Sequence, residues 1–160
     1  MNKKTVLDLI LTQLRANLAL QTQAALLSRD EAISEESRPE NKYDMHSQEA
    51  AYLAEGQARH AAETSAAVAQ FESLLLPEAA TSDRAMVGSL LEVAGTKGGP
   101  VWYFLGPRAG GLEVTAEGQT VLVVTPTSPL GRELLGKTTG ATVRLPGRNT
   151  GGPHRIVSVY

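Results

Sequence analysis

The chain has 160 residues, 42% of them apolar, 20% charged and 4% aromatic, a composition that is globular and excludes wholesale disorder. It contains no cysteine, which excludes a disulfide framework and a cysteine zinc site. Residues 1–80 carry 7 Lys and Arg against 12 Asp and Glu, and residues 81–160 carry 8 against 5, an asymmetry that argues against simple coating of nucleic acid.

The first half of the chain predicts two long helices. Residues 4–33 contain no Gly or Pro, and Leu7, Ile10 and Leu14 recur at the spacing of one helical face. A second run, from about Asp44 to Leu76, ends before Pro77. Its apolar face is predicted to comprise Leu53, Gln57, Ala61, Thr64, Val68, Phe71 and Leu75. Two such stripes joined by a short connection predict an antiparallel coiled-coil hairpin about 45 Å long; half of a four-helix bundle completed by dimerisation is the alternative.

The second half predicts a small β domain. Six apolar segments, separated by turns rich in Gly and Pro, read as strands: VGSLLEVAG, PVWYFLG, LEVTAEG, TVLVVTP, ATVRLP and HRIVSVY. One short helix is predicted between the fourth and fifth strands, with Ser128 as its N-cap, Pro129 at its first position and Gly136 closing it.

Two apparent motifs do not carry the chemistry that they suggest. Gly131–Thr138, GRELLGKT, matches the phosphate-loop pattern, but its interior favours helix and a strand follows where a long helix is required. His46 and Glu49 lie one helical turn apart and supply only two metal ligands. His60 falls in an alanine-rich run and His154 in a predicted turn, so solvated or packed histidines are the simpler interpretation.

An acidic segment, Glu35–Asp44, separates the two predicted helices with the sequence EESRPENKYD. Pro39 breaks any continuous helix here. The residues alone allow two interpretations. Exposed turns are usually polar and acidic residues favour helix N-termini, but a group of carboxylates is also a ligand set for a divalent cation.

Two segments of the chain resemble the bacterial Gre transcript-cleavage factors. SPLGRELLGK, Ser128–Lys137, lies between TVLVVTP and TTGATVRLP and closely resembles the C-terminal signature of that family. PENKYDMHSQEAAYLAEGQA, Pro39–Ala58, is similar to the tip and second helix of the family's coiled coil. The resemblance implies an α+β protein: an antiparallel coiled-coil finger over residues 1–76, a linker over 77–84, and an FKBP-like, mostly antiparallel β domain with one short helix over 85–160.

The resemblance also implies a partner and a mechanism. The C-terminal domain is expected to dock on RNA polymerase at the rim of the secondary channel, and the finger to reach the active site. There the tip carboxylates would help to hold the second Mg²⁺ of the polymerase while water hydrolyses the extruded 3′ end of the nascent RNA. The protein would then be a cytoplasmic monomer without membrane contact, with no metal or cofactor of its own, and not an independent enzyme.

The implied site residues fall into three sets. Glu36 and Glu40 are the expected tip acids, with Glu35 and Asp44 in reserve. Arg38 and Lys42 are expected to contact RNA phosphate. The expected docking residues are Ser128, Pro129, Arg132, Leu134 and Lys137.

The acidic segment departs from the family's tip, which reads Asp-Leu-Lys-Glu-Asn. With Glu40 and Asn41 aligned, Ser37 stands at the Asp position and Pro39 at the Lys position. This departure favours a second hypothesis, a channel-binding regulator of transcription that does not stimulate cleavage. A third hypothesis is an FKBP-type peptidyl-prolyl isomerase. It requires an aromatic pocket, but neighbouring aromatic residues of one strand point to alternate faces.

Overall fold

The computed structural model describes residues 1–33, 45–77, 84–94, 99–145 and 153–160. Two long helices come first, α1 at Lys3–Ile33 and α2 at Met45–Glu72. Both were expected from the apolar periodicity and the absence of proline. No helix in the described part of the chain combines the length and the apolar character needed to cross a membrane.

The two helices run antiparallel. Lys3, at the start of α1, donates a hydrogen bond from Nζ to the carbonyl oxygen of Pro77, just beyond α2. Nearer to their other ends, Ala25 of α1 and Ala58 of α2 line one groove. The predicted antiparallel pairing is therefore confirmed, whereas coiled-coil supercoiling stays a prediction.

The helices bury large apolar side chains near the start of α1 and the end of α2. These buried residues are Val6, Leu7, Ile10, Leu14, Ala67, Val68 and Phe71. The predicted stripe of α2 was wrong at Leu53 and Leu75, both of which are exposed. Leu75 is exposed because α2 has already ended at Glu72. Leu53 is exposed although its neighbour Ala54 lines the groove between the helices.

Helix α2 ends at Glu72, earlier than the predicted Leu76. The Leu74 N–H bonds to the carbonyl oxygen of Phe71, three residues back, which tightens the last turn out of α-helical geometry. A residue before proline disfavours helix, so Leu76 is pushed toward an extended conformation by Pro77. The ring of Pro77 packs closely against Gly88, whose backbone has φ +94°.

Within the described residues, six strands and one short helix, α3, follow the two long helices, as the sequence predicted. The sheet order is β3-β4-β2-β1-β6-β5. The elements are β1 Leu90–Val93, β2 Val101–Leu105, β3 Glu113–Ala116, β4 Gln119–Val124, α3 Pro129–Leu134, β5 Thr142–Val143 and β6 His154–Val159.

The sheet is mostly antiparallel, with one parallel pair, β2 and β4, that the sequence did not reveal. Strands β3 and β4 form a hairpin through Glu117 and Gly118, both with positive φ, as the two-residue turns of twisted hairpins require. Strand β4 then returns between β3 and β2. Its direction is therefore that of β2, because the loop over residues 106–112 has already reversed the chain.

Both faces of the sheet are covered. On one face, Leu91, Tyr103 and Ile156 belong to a core that includes Leu134 of α3. The alternate residues of the strands are also buried, on the other face, and Phe104 lies there with its ring centroid 6.4 Å from that of Phe71.

The chain divides into two compact units. One comprises Met1–Thr12 and Ala69–Tyr160, and the other comprises Gln13–Val68. The first unit thus combines the sheet with the start of α1 and the end of α2. The N-terminal ammonium lies 3.5 Å from the carboxylate of Glu117 in this unit. The expected boundaries of finger, linker and β domain stay a prediction, and residues 78–83 of the linker lie outside the described residues.

Candidate functional site

The segment Ser128–Lys137, here called the docking segment, begins with a side-chain cap. The hydroxyl of Ser128 accepts a hydrogen bond from the N–H of Gly131 (3.0 Å) and donates one to the carbonyl oxygen of Thr125 (2.8 Å). Pro129 occupies the first turn, where its missing N–H costs nothing. These contacts confirm the predicted N-cap and fix the position at which α3 leaves strand β4.

Gly131 is required by close packing inside this turn. A Cβ atom at this position would lie 1.9 Å from the carbonyl oxygen of Thr125 and 3.1 Å from the hydroxyl oxygen of Ser128. Because an ordinary non-bonded carbon contact is about 3.5–4.0 Å, no side chain fits here without moving the backbone. The glycine therefore lets α3 pack directly on the turn at Thr125–Ser128.

The end of α3 is held by a short backbone pairing with residues 84–86. Ala85 donates its N–H to the carbonyl oxygen of Lys137 (2.8 Å) and accepts from the N–H of Gly136 (2.7 Å). Gly136 has φ +74°, the conformation expected of a glycine that closes a helix. The phosphate-loop match is thus a helix, a glycine and an extended pairing, which is the wrong setting for wrapping a phosphate.

The docking segment divides its two leucines between core and surface. Leu134 is 0% exposed and belongs to the core, whereas Leu135 is 42% exposed. The assignment of Leu134 to partner contact is therefore corrected: its side chain packs under α3. The Leu135 side chain is exposed because the chain turns at the end of α3, and it forms an apolar patch on the docking segment. Met86, which the sequence analysis did not identify, is exposed on the segment paired with Gly136.

Positively charged side chains lie near Leu135 in the docking segment. Arg132 is exposed on α3, and Lys137 is half-buried at the end of the docking segment. Pro129 is exposed as well, while Ser128 is half-buried by its cap. The docking segment thus exposes a proline, an arginine and a leucine, with Glu133 and Lys137 half-buried, on a backbone fixed at both ends.

Two clefts lie beside α3 on the core side of the sheet. One has a volume of about 180 Å³ and is lined in part by Tyr103, Leu130 and Leu145. The other, of about 340 Å³, is lined in part by Gly110 and Leu130. Trp102 and Tyr103 both line the smaller cleft, whereas Phe104 lies on the opposite face of the sheet from Tyr103, as the alternation of strand residues predicts.

The histidines do not form a metal site within the described residues, where no group of three or more metal-ligating side chains occurs. His154 was expected in a turn, but it begins β6 and is 5% exposed. Its Nδ1 lies 3.0 Å from the carbonyl oxygen of Ala94, a contact made possible by the pairing of β6 with β1. His60 is exposed on α2.

The tip residues expected at the polymerase active site lie outside the described residues. These are Glu35, Glu36, Arg38, Glu40, Lys42 and Asp44, together with Ser37. Their assigned roles stay predictions.

No family model matches the chain, and no curated protein matches it significantly. Among solved structures, it is similar to GreA factor homolog 1 (Gfh1) of Thermus thermophilus, with 17% identity, a TM-score of 0.39, and coverage of 98% of this chain and 93% of that chain. Gfh1 of Thermus aquaticus gives 19% identity, a TM-score of 0.38 and the same coverage. A transcription elongation factor GreA/GreB from Nitrosomonas europaea gives 16% identity, a TM-score of 0.34, and coverage of 60% and 78%.

Proposed function

We propose that this protein is a Gre-like transcription factor that binds RNA polymerase through the docking segment and inserts the acidic segment between α1 and α2 into the secondary channel. The observation that carries the proposal is the segment SPLGRELLGK, which closely resembles the family's C-terminal signature. In this chain Ser128 and Gly131 build its turn, and Pro129, Arg132 and Leu135 are exposed on it. The same residues thus shape and present one surface.

The proposed docking combines charge attraction with an apolar contact. Arg132 and Lys137 favour a partner surface that carries carboxylates, and Leu135 offers an apolar contact at the centre. The excess of positive charge in residues 81–160 supports the same assignment. Because the backbone of the segment is held by its cap and by Ala85, little ordering is needed when the partner binds.

The proposed chemistry at the tip is metal-assisted hydrolysis carried out by the polymerase. Glu36 and Glu40 would add carboxylate oxygens to a weakly held Mg²⁺ of the polymerase, with Glu35 and Asp44 in reserve. When bound, that Mg²⁺ would supply a water of lowered pKa for hydrolysis of the backtracked RNA, in which water oxygen adds to phosphorus, the P–O bond to the leaving ribose oxygen breaks, and that oxygen takes up a proton. Arg38 and Lys42 would contact the RNA phosphates. The protein supplies ligands and brings no metal of its own.

Ser37 supports a second candidate function, binding to the channel without cleavage. In the alignment on Glu40 and Asn41 it replaces an acid of the family's tip, so one metal ligand is missing. Metal sites tolerate displacements of only about 0.2 Å, so Glu36, one residue away, takes over only if the turn is rearranged around Pro39. A factor of this kind would perturb nucleotide entry or the metal, and so regulate transcription.

Binding is tested first, by co-purification of RNA polymerase with the full-length protein. Arg132→Glu is expected to abolish most of the binding, and Arg144→Glu, at another exposed arginine, is the matched control. If wild type does not retain polymerase, or if the two variants behave alike, the docking proposal is wrong.

Chemistry is tested second, on a stalled and backtracked transcription complex. Stimulated cleavage that is lost in Glu40→Ala supports the first function. Cleavage that appears only in Ser37→Asp supports the second function and shows that docking already works. Binding without cleavage in either protein leaves docking intact and overturns the assigned tip chemistry.

A further inference from the structure

A short extended segment, residues 84–86, runs antiparallel to the end of the docking segment. Ala85 donates its N–H to the carbonyl oxygen of Lys137 and accepts a hydrogen bond from the N–H of Gly136. Gly136 and Lys137 thus both face Ala85, and Gly136 has φ +74°. Two residues opposite one, with a left-handed glycine first, form a β-bulge, and bulges commonly redirect side chains at the edges of sheets.

This pairing brings Met86 beside Leu135. The hydrogen bond from Gly136 to Ala85 joins two peptide units. Met86 stands at the outer end of one unit, and Leu135 at the outer end of the other. Leu135 has φ −58° and ψ 131°, an extended conformation that continues the pairing by one residue. Residues that flank such a bond in an antiparallel pair lie opposite each other, with Cα atoms about 4.5–5.5 Å apart, so Met86 and Leu135 are neighbours across two segments of the chain.

The side chains of both residues are exposed. Ala85 is 2% exposed and belongs to the core, so its neighbours on an extended segment point to the other side. Met86 is 40% exposed and Leu135 is 42% exposed. Within the described residues of the unit that contains the sheet, the other exposed large apolar side chains are Leu75 and Val157. Met86 and Leu135 thus form an apolar patch built from two segments, here called the seam patch.

The backbone at Met86 is held in place by hydrogen bonds. Its N–H donates to the hydroxyl oxygen of Ser89 (3.1 Å), and its carbonyl oxygen accepts from the N–H of Ser89 (2.9 Å). Ser89 is 2% exposed. Gly88, with φ +94°, completes this turn and donates its N–H to the carbonyl oxygen of Leu105 (2.7 Å). Because the backbone is already fixed, the seam patch needs little ordering when a partner binds.

Positive charge lies beside the seam patch. Arg132 is exposed and lies three residues before Leu135, on the same side of the last turn of α3. The helical pattern reaches Leu135, because its N–H bonds to the carbonyl oxygen of Gly131. A partner that fits must therefore combine an apolar side chain with a nearby carboxylate. A nucleic-acid backbone supplies negative charge without such a side chain, so the patch fits a protein surface.

We propose that Met86 and Leu135 together form the apolar centre of the docking surface and receive one apolar side chain of RNA polymerase that is flanked by a carboxylate. The inference rests on the proposed function and deepens it, because the resemblance in the docking segment covers residues 128–137 and assigns no role to Met86. Methionine suits this position, since its unbranched thioether side chain adapts to the shape of an apolar partner. Residue 86 is then a determinant of which polymerase surface the protein accepts.

The first experiment measures the Kd of the full-length protein for purified RNA polymerase. Met86→Gln keeps the length of the side chain but makes its end polar, so Kd is expected to rise at least about fivefold. Met86→Leu keeps the apolar volume and is expected to bind within about twofold of wild type. Val157→Gln is the matched control and is expected to bind like wild type. Val157 is 43% exposed and lies on β6 near Val93, at the opposite end of β1 from the one that follows Met86.

The second experiment combines Met86→Ala with Leu135→Ala. If both side chains pack on the same polymerase side chain, each substitution alone loosens the shared contact, and the double substitution costs less than the product of the two single effects. Two single losses of about fivefold would then give a double loss well below about twenty-fivefold. Urea unfolding followed by Trp102 fluorescence checks that the sheet of each variant remains folded, as expected for substitutions at exposed positions.

The outcomes separate this inference from the proposed function. Weaker binding by Met86→Gln than by Val157→Gln, with a double variant that is less than multiplicative, supports the seam patch as one docking centre. If wild type binds polymerase and Arg132→Glu does not, but Met86→Gln binds like wild type, the inference is wrong and the proposed function stands. Fully multiplicative losses also overturn it, because they assign Met86 and Leu135 to separate contacts. A wild type that does not bind polymerase overturns both.

Discussion

Replacing Gly131 with alanine should disrupt the docking segment. The new Cβ atom would lie 1.9 Å from the carbonyl oxygen of Thr125, so α3 and the turn before it must separate by about 1 Å or more. Separation breaks two hydrogen bonds of the Ser128 hydroxyl, one to Gly131 and one to Thr125. At about 1 kcal/mol for each bond, with a further 1–2 kcal/mol for the disturbed packing of Leu134, the expected loss is about 3–4 kcal/mol.

Unfolding in urea measures this loss, with the fluorescence of Trp102 as the probe. Trp102 is the only tryptophan and is buried in β2, so its emission reports on the unit that contains the sheet. Gly56→Ala is the control for the substitution itself, because nothing lies within 4 Å of a Cβ atom there. It should stabilise α2 by about 1 kcal/mol, measured by far-ultraviolet circular dichroism. A Gly131→Ala protein as stable as wild type would refute the packing described for this turn.

Three further substitutions test the core and the docking surface. Leu134→Ala should lower the free energy of unfolding by about 2–5 kcal/mol, since the side chain is fully buried. Leu135→Ala should lower it by less than about 1 kcal/mol and should weaken polymerase binding instead. Equal stability losses in urea unfolding would contradict the division of the two leucines between core and surface. Gly106→Ala should also destabilise the protein by about 1–3 kcal/mol, because its Cβ atom would lie 2.7 Å from Cζ of Phe71 and 2.9 Å from Cγ1 of Val123. If urea unfolding followed by Trp102 fluorescence gives this variant the stability of wild type, Phe71 and Val123 move aside without cost and the prediction is wrong.

Local signals in the sequence predict most of the secondary structure. The apolar spacing of α1 and the glycine-rich turns between strands are properties of neighbouring residues, and so is the cap formed by Ser128. The proline at Pro77 predicts the end of α2 too late, because the last turn already tightens at Leu74, whose N–H bonds to the carbonyl oxygen of Phe71, three residues back. The sequence therefore predicts which helices and strands form more accurately than it predicts the residues at which they end.

Features that depend on distant residues were not predictable. The parallel pairing of β2 with β4 arises from the path of the loop between them, which no periodicity records. The burial of His154 depends on its pairing partner, β1, more than sixty residues earlier. The division of Leu134 and Leu135 depends on where α3 ends relative to the sheet. Exposed Met86 became part of the candidate surface only through its neighbour Ala85, which pairs with Lys137.

The central claim, that the acidic segment between the helices reaches the polymerase active site, is tested most directly by crosslinking. A photoreactive residue at Asn41, beside Glu40, would be activated in a backtracked transcription complex that carries labelled RNA. We expect a crosslink to the 3′ end of the nascent RNA, whether or not cleavage follows. We also expect the crosslink to be lost in Arg132→Glu, because that variant no longer docks. Polymerase binding without any crosslink to RNA or to the channel wall would contradict the account.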